Sequence, residues 1–128
     1  AAYETPEGGR AAVFARAPWA DDILSFPKSR QLTNAVDWLC RGLPVKIQSD
    51  CRIGQALWQG ENDTVCALFS MDFDTAQNVE LHLNFEARAE HLAPDGTWRP
   101  LGRGRTIPVG SIEPFSCAPV RLIPEKNA

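Results

Sequence analysis

NVELHLNF, residues 78–85, sets Val79, Leu81, Leu83 and Phe85 against Glu80, His82 and Asn84. A period of two marks a strand with one face in a core and the other in water. The same pattern extends in both directions. Upstream, TVCALFS at 64–70 is rich in apolar and β-forming residues and reads as a central strand, entered through the turn signal Gly60-Glu61-Asn62-Asp63. Before it, Val45, Ile47, Ser49, Cys51 and Ile53 alternate with Lys46, Gln48, Asp50 and Arg52, and residues 56–59 read as a further strand after a bend near Gly54. Downstream, residues 87–92 read as a shorter strand ending at Pro94-Asp95-Gly96, a hairpin-type turn. Residues 97–99 pair back, Gly102-Arg103-Gly104-Arg105 loops out, and residues 107–109 and 115–123 complete the set. About seven or eight short strands with turns between them are the pattern of a β-sandwich or barrel, and the expected fold is a mainly β chain forming an antiparallel β-sandwich. Prolines at 108, 114, 119 and 124 predict edges or bulges in the last strands.

One segment breaks the period. In residues 27–42, PKSRQLTNAVDWLCRG, Leu32, Ala35, Val36, Leu39 and Cys40 form a stripe at helical spacing, opposite Lys28, Arg30, Gln31, Asn34 and Asp37. Ser25 is a candidate N-cap, Pro27 falls in the first turn, and Gly42 followed by Pro44 marks the stop. This amphipathic helix needs a partner surface. Residues 11–15, AAVFA, form a continuous apolar run that suits a strand covered on both faces of an α/β sheet. The expected organisation is a flexible lead-in over 1–9, a strand–loop–helix unit over 10–42, and a β-sandwich domain over 43–128. The helix is read as packed on the sandwich or as the last piece of a larger α/β domain.

Composition sets bounds on function. The chain has 128 residues, 44% hydrophobic and 23% charged, which suits one domain with an appended piece. A net charge of -3 argues against nucleic acid or an anionic membrane as partner, since both recruit basic surfaces. No apolar run is long enough to span a bilayer, so the expected location is cytoplasmic, with export open if a signal lies upstream of the initial Ala-Ala. Cys40, Cys51, Cys66 and Cys117 are widely spaced without a C-x-x-C pair. They predict buried thiols rather than a zinc site, and leave one disulfide open for an exported protein.

Each pattern that could carry chemistry has a plainer structural explanation. Ser111 lacks the second glycine and the strand–turn–helix setting of a nucleophile elbow. His82 and His91 read as surface strand residues, and no metal or other cofactor is expected. Asp72-x-Asp74 begins like a calcium loop without its glycine and distal glutamate, so it reads as a capped turn. Glu80, Glu86 and Glu90 read as a solvated face rather than an acid–base pair. Asn62-Asp63-Thr64 is a formal glycosylation sequon inside a turn. Of the tryptophans, Trp19 and Trp38 read as packing residues, while Trp58 and Trp98 are candidates for stacking on sugar rings.

A family resemblance rests on scaffold residues. Gly8-Gly9-Arg10-Ala-Ala-Val-Phe, Ala17-Pro18-Trp19, the Gln31-Leu32 helix ending Asp37-Trp38-Leu39, Gly42-Leu43-Pro44-Val45, and later Leu92-Ala-Pro-Asp95-Gly96-Thr-Trp98 and Pro114-Phe115 carry it. Together they resemble the C-terminal region of bacterial glycoside hydrolases of the beta-galactosidase type. There a barrel precedes a glutamine-amidotransferase-like α/β domain and a small β-sandwich. The resemblance implies that residues 10–42 end the α/β domain and that the sandwich follows. It implies no catalytic residue here, because the catalytic carboxylates of such enzymes lie in the barrel. The expected function is a non-catalytic accessory domain with structural or inter-domain contacts, its partners being other domains of a larger chain or a second copy through residues 10–42. Alternatives are a carbohydrate-binding module using Trp58 and Trp98, and a small independent enzyme.

Overall fold

The computed structural model describes residues 1–14 and 26–125. The fold is mainly β and antiparallel. Eight strands and one helix lie among the described residues, in a two-stranded and a six-stranded sheet. The chain divides into two compact units, Ala1–Leu43 and Pro44–Ala128.

In the first unit, β1 (Ala2–Glu4) pairs antiparallel with β2 (Arg10–Ala12). Residues 1–9, expected as a flexible lead-in, therefore hold the first arm of a hairpin and its turn. Thr5 closes that turn: its hydroxyl accepts from the Gly9 N–H at 3.0 Å, and its carbonyl accepts from Gly8, which sits at φ 84°. The expected doubly covered strand at 11–15 is corrected too. β2 is half-buried and ends at Ala12, with Val13 58% and Phe14 40% exposed. Its neighbour is one short antiparallel arm, which cannot cover both faces as a parallel α/β sheet does.

The helix α1 spans Phe26–Leu39. Its end is a Schellman turn: the Gly42 N–H reaches the Asp37 carbonyl and the Arg41 N–H reaches that of Trp38. The left-handed residue of the turn is Arg41, at φ 57°, so the capping position falls one residue before the glycine that marks the stop in the sequence. The proposed N-cap Ser25 and the packing residue Trp19 lie outside the described residues.

Polar ties hold the hairpin to the helix end. The Arg10 guanidinium stacks 5.1 Å from the Trp38 ring centre and donates to the Trp38 carbonyl at 2.8 Å. Arg41 donates to the Gly8 carbonyl and to Glu4. Both cations sit where the helix dipole is negative. No described residue of this unit is a buried hydrophobic, and along the helical stripe Val36 and Leu39 stay exposed.

The second unit is built on a long hairpin. β6 (Ala76–Leu92) and β7 (Trp98–Ile112) pair through a turn in which Ala93 donates to Thr97 and Gly96 takes φ 79°. The free edge of β6 is shared. Its first half pairs with β3 (Val45–Gln48) and its second half with β8 (Cys117–Pro124). β5 (Thr64–Ser70) follows β8, and β4 (Ile53–Gln59) closes that side, giving the order β3-β6-β8-β5-β4 with β7 on β6.

Between the two halves the register slips. β6 advances from His82 to Ala87 while β7 advances only from Thr106 to Gly104, so four residues, 83–86, face Arg105 alone. Gly104, at φ 118°, takes a conformation L side chains rarely adopt. Such an excess on one strand bends it, and the sheet curls into a β-sandwich-like fold. Val45, Val79, Leu81, Ile107 and Ile112 from one half join Cys66, Leu68, Ala89, Val120 and Leu122 from the other in one buried core.

The strand at 64–70 stands as read, between β4 and β8. Three other expectations change. Residues 87–92 continue β6 instead of forming a separate strand, and the expected loop at 102–105 lies within β7. The alternation over 45–53 is interrupted at 49–52, where Asp50 accepts from the Gln77 N–H at 3.1 Å. Pro108 lies on β7, which pairs with β6 only, and Pro114 lies in a turn. Pro119 is opposed by β5 but not by β6, whose pairing begins at Val120, so no ladder bond is lost on that side.

Candidate functional site

Directly opposed residues in an antiparallel sheet share a face. The pairings Trp58↔Val65, Val65↔Arg121, Arg121↔Glu90 and Glu90↔Pro100 therefore run one row across β4, β5, β8, β6 and β7. Leu92↔Trp98, two residues along β6, adds the second tryptophan to the same side. The opposite side carries Cys66, Leu68, Val120 and Leu122 into the core, so this row lies on the outer face. The two sugar-stacking candidates thus share a surface, separated by a pair of charges. Trp58 is 57% exposed on edge strand β4.

The charges between them are tightly held. Arg121 directs Nε and Nη2 onto Glu90 Oε2, the first at 2.9 Å. Its guanidinium lies 4.8 Å from the Trp98 ring centre, a cation–π contact. Arg88 Nη2 stands 3.6 Å from the other Glu90 oxygen. Glu90 keeps 13% of its side chain exposed and Arg121 29%. With strands roughly 4.8 Å apart, Trp58 stands two strands, or about 10 Å, from Arg121.

Most of the remaining charged sequence candidates stand beside an oppositely charged or polar side chain. Glu80 stands 3.4 Å from His82 Nε2 without a hydrogen bond between them, and Glu86 pairs with Arg105 at 3.2 Å. Arg103 pairs with Glu125 at 2.7 Å. His91 lies in the other half of β6 from His82, opposite Val120 and Arg99. No group of three or more His, Cys, Asp or Glu side chains among the described residues could hold a metal. Asp72 accepts from the Phe73 N–H in a turn, and Ser111 bonds the exposed Gln77 side chain. Asn62 is exposed in the turn before β5.

The four cysteines are free, and only Cys66 is buried. Burial pushes the Cys66 thiol up to about 11. Desolvation and the carboxylates of Asp50, Asp72 and Asp74 raise that of Cys51. Neither is poised as a thiolate nucleophile.

Two features escaped the sequence reading. Arg121 and Glu90 belong to the tryptophan face only through the register of β8 on β6. Phe73 and Phe115, 84% and 65% exposed, meet edge to face at 5.1 Å across two turns. Phe115, expected to open the last strand, instead takes φ 51° in the Pro114-Phe115 turn, a conformation a bulky residue rarely adopts. Proline followed by an aromatic residue was the available signal.

Comparison with protein-family models, curated proteins and solved structures finds no match to this chain. No described helix is long and apolar enough to cross a membrane.

Proposed function

We propose that this chain is a non-catalytic accessory module of a larger carbohydrate-active protein, making contacts between domains or subunits through its first unit. One observation supports the reading above others: the first unit contains no buried hydrophobic among its described residues, and it leaves Tyr3, Val13, Phe14, Val36 and Leu39 exposed. Apolar groups that a unit does not cover itself are the material of an interface. The resemblance to the end of an α/β domain in beta-galactosidase-type glycoside hydrolases gives that interface its setting, and the second unit supplies a folded base.

Sedimentation or light scattering of the chain, beside its Leu39→Asp variant, tests the proposal. The expected result is concentration-dependent association that the aspartate abolishes. A monomer at every concentration, with hydrodynamics unchanged by Leu39→Asp, overturns it.

A further inference from the structure

We infer that the outer face of the second unit binds a neutral glycan laid across the strands, with Trp58 as an open stacking platform and the Arg121–Glu90 pair meeting the sugar hydroxyls. This goes beyond the contact role and is independent of it, since every residue invoked lies in the second unit. The ion pair at the centre of the row has hydrogen-bonding capacity left over. Glu90 and Arg121 are mostly shielded, yet only two of the five guanidinium N–H groups are used on Glu90. A flat protein partner covering this row would bury the remaining donors and carboxylate lone pairs at a desolvation cost. A sugar brings hydroxyls that both donate and accept, so it satisfies them.

Charge narrows the ligand class. Arg121 and Glu90 cancel at the centre of the row and Arg88 leaves one exposed positive charge beside them; a single cation does not match the repeating charges of a uronate or phosphate polymer, which favours a neutral chain. The apolar CH face of a pyranose ring matches the exposed indole of Trp58. The distance from Trp58 to Arg121, about 10 Å at two strand spacings, calls for a ligand of more than one ring. Trp98 is a positioning residue: its ring lies against the Arg121 guanidinium and fixes where the donors point.

Affinity electrophoresis tests this with gels containing neutral galactan, xylan or glucomannan, and with polygalacturonate as the anionic comparison. At least one neutral polymer should retard the protein. Trp58→Ala should weaken that interaction by about tenfold or more while circular dichroism and the melting temperature stay unchanged. Phe73→Ala, beyond the opposite end of β4 and β5, should leave retardation intact. Three outcomes overturn the inference: no retardation by any neutral polymer, retardation untouched by Trp58→Ala, or retardation by polygalacturonate only. A dimer abolished by Trp58→Ala, without glycan binding, would also overturn it and assign the face to a second copy.

Discussion

The two units of this chain hold themselves together by different physics. In Pro44–Ala128, Leu68, Leu81, Ile107 and Leu122 are completely buried, and each such side chain stabilises the fold by roughly 1.5–3 kcal/mol. Among the described residues of Ala1–Leu43 the ties between hairpin and helix end are made by cations: Arg10 on Trp38, and Arg41 on Glu4 and Gly8. Exposed ion pairs contribute about 0–1 kcal/mol each, so they orient elements more than they stabilise them. The second unit has an apolar core of its own, whereas the described residues of the first contain no buried hydrophobic side chain.

The comparison breaks most readily in the core. Leu68→Ala should destabilise the second unit by about 2–5 kcal/mol in urea unfolding, because the close-packed surroundings cannot fully refill the space. A loss below 1 kcal/mol would mean that the sandwich is loosely packed. Next in size, Arg121→Ala leaves Glu90 shielded and short of its main partner, with an expected cost of about 1–3 kcal/mol in the same assay. Arg10→Ala should leave that transition unmoved and instead speed proteolytic cleavage within residues 1–43, since it frees the helix end from the hairpin.

The smallest expected effect is a pH dependence. Thr97, through its hydroxyl and then its N–H, and Arg99 hold the Asp95 carboxyl below its ordinary value. A depressed folded value contributes stability above the unfolded pKa and loses it as pH falls through the folded one. The melting-temperature gap between the wild type and Asp95→Asn should therefore be present at neutral pH and shrink below about pH 4. A gap that persists unchanged into acid would mean that the turn does not depend on the ionised carboxylate.

Local periodicity made much of this fold legible. Val79, Leu81 and Leu83 alternate because one face is buried, and the helix shows itself by the spacing of Leu32, Ala35 and Val36. What stayed hidden is non-local. The curl depends on residues 83–86 facing a single arginine, and no local pattern records how two strands slip. The hairpin of β1 and β2 was missed because three-residue strands have no measurable period, and a Thr-Pro-Glu-Gly-Gly turn reads like a loose end. Trp58 and Trp98 could be named as aromatic candidates, but only the registers of β5, β8 and β6 place Arg121 and Glu90 between them. Arg103 and Arg105, read as part of a loop in the sequence, find Glu125 and Glu86 because β7 and β8 both pair with β6.

Native-state hydrogen exchange tests the central contrast most directly. The account predicts that amides of β5 exchange only through global unfolding, while those of α1 exchange far faster in dilute monomer and gain protection when the chain associates. Equal protection of α1 and β5 in the monomer would contradict it, showing that Ala1–Leu43 is stable without a covering partner.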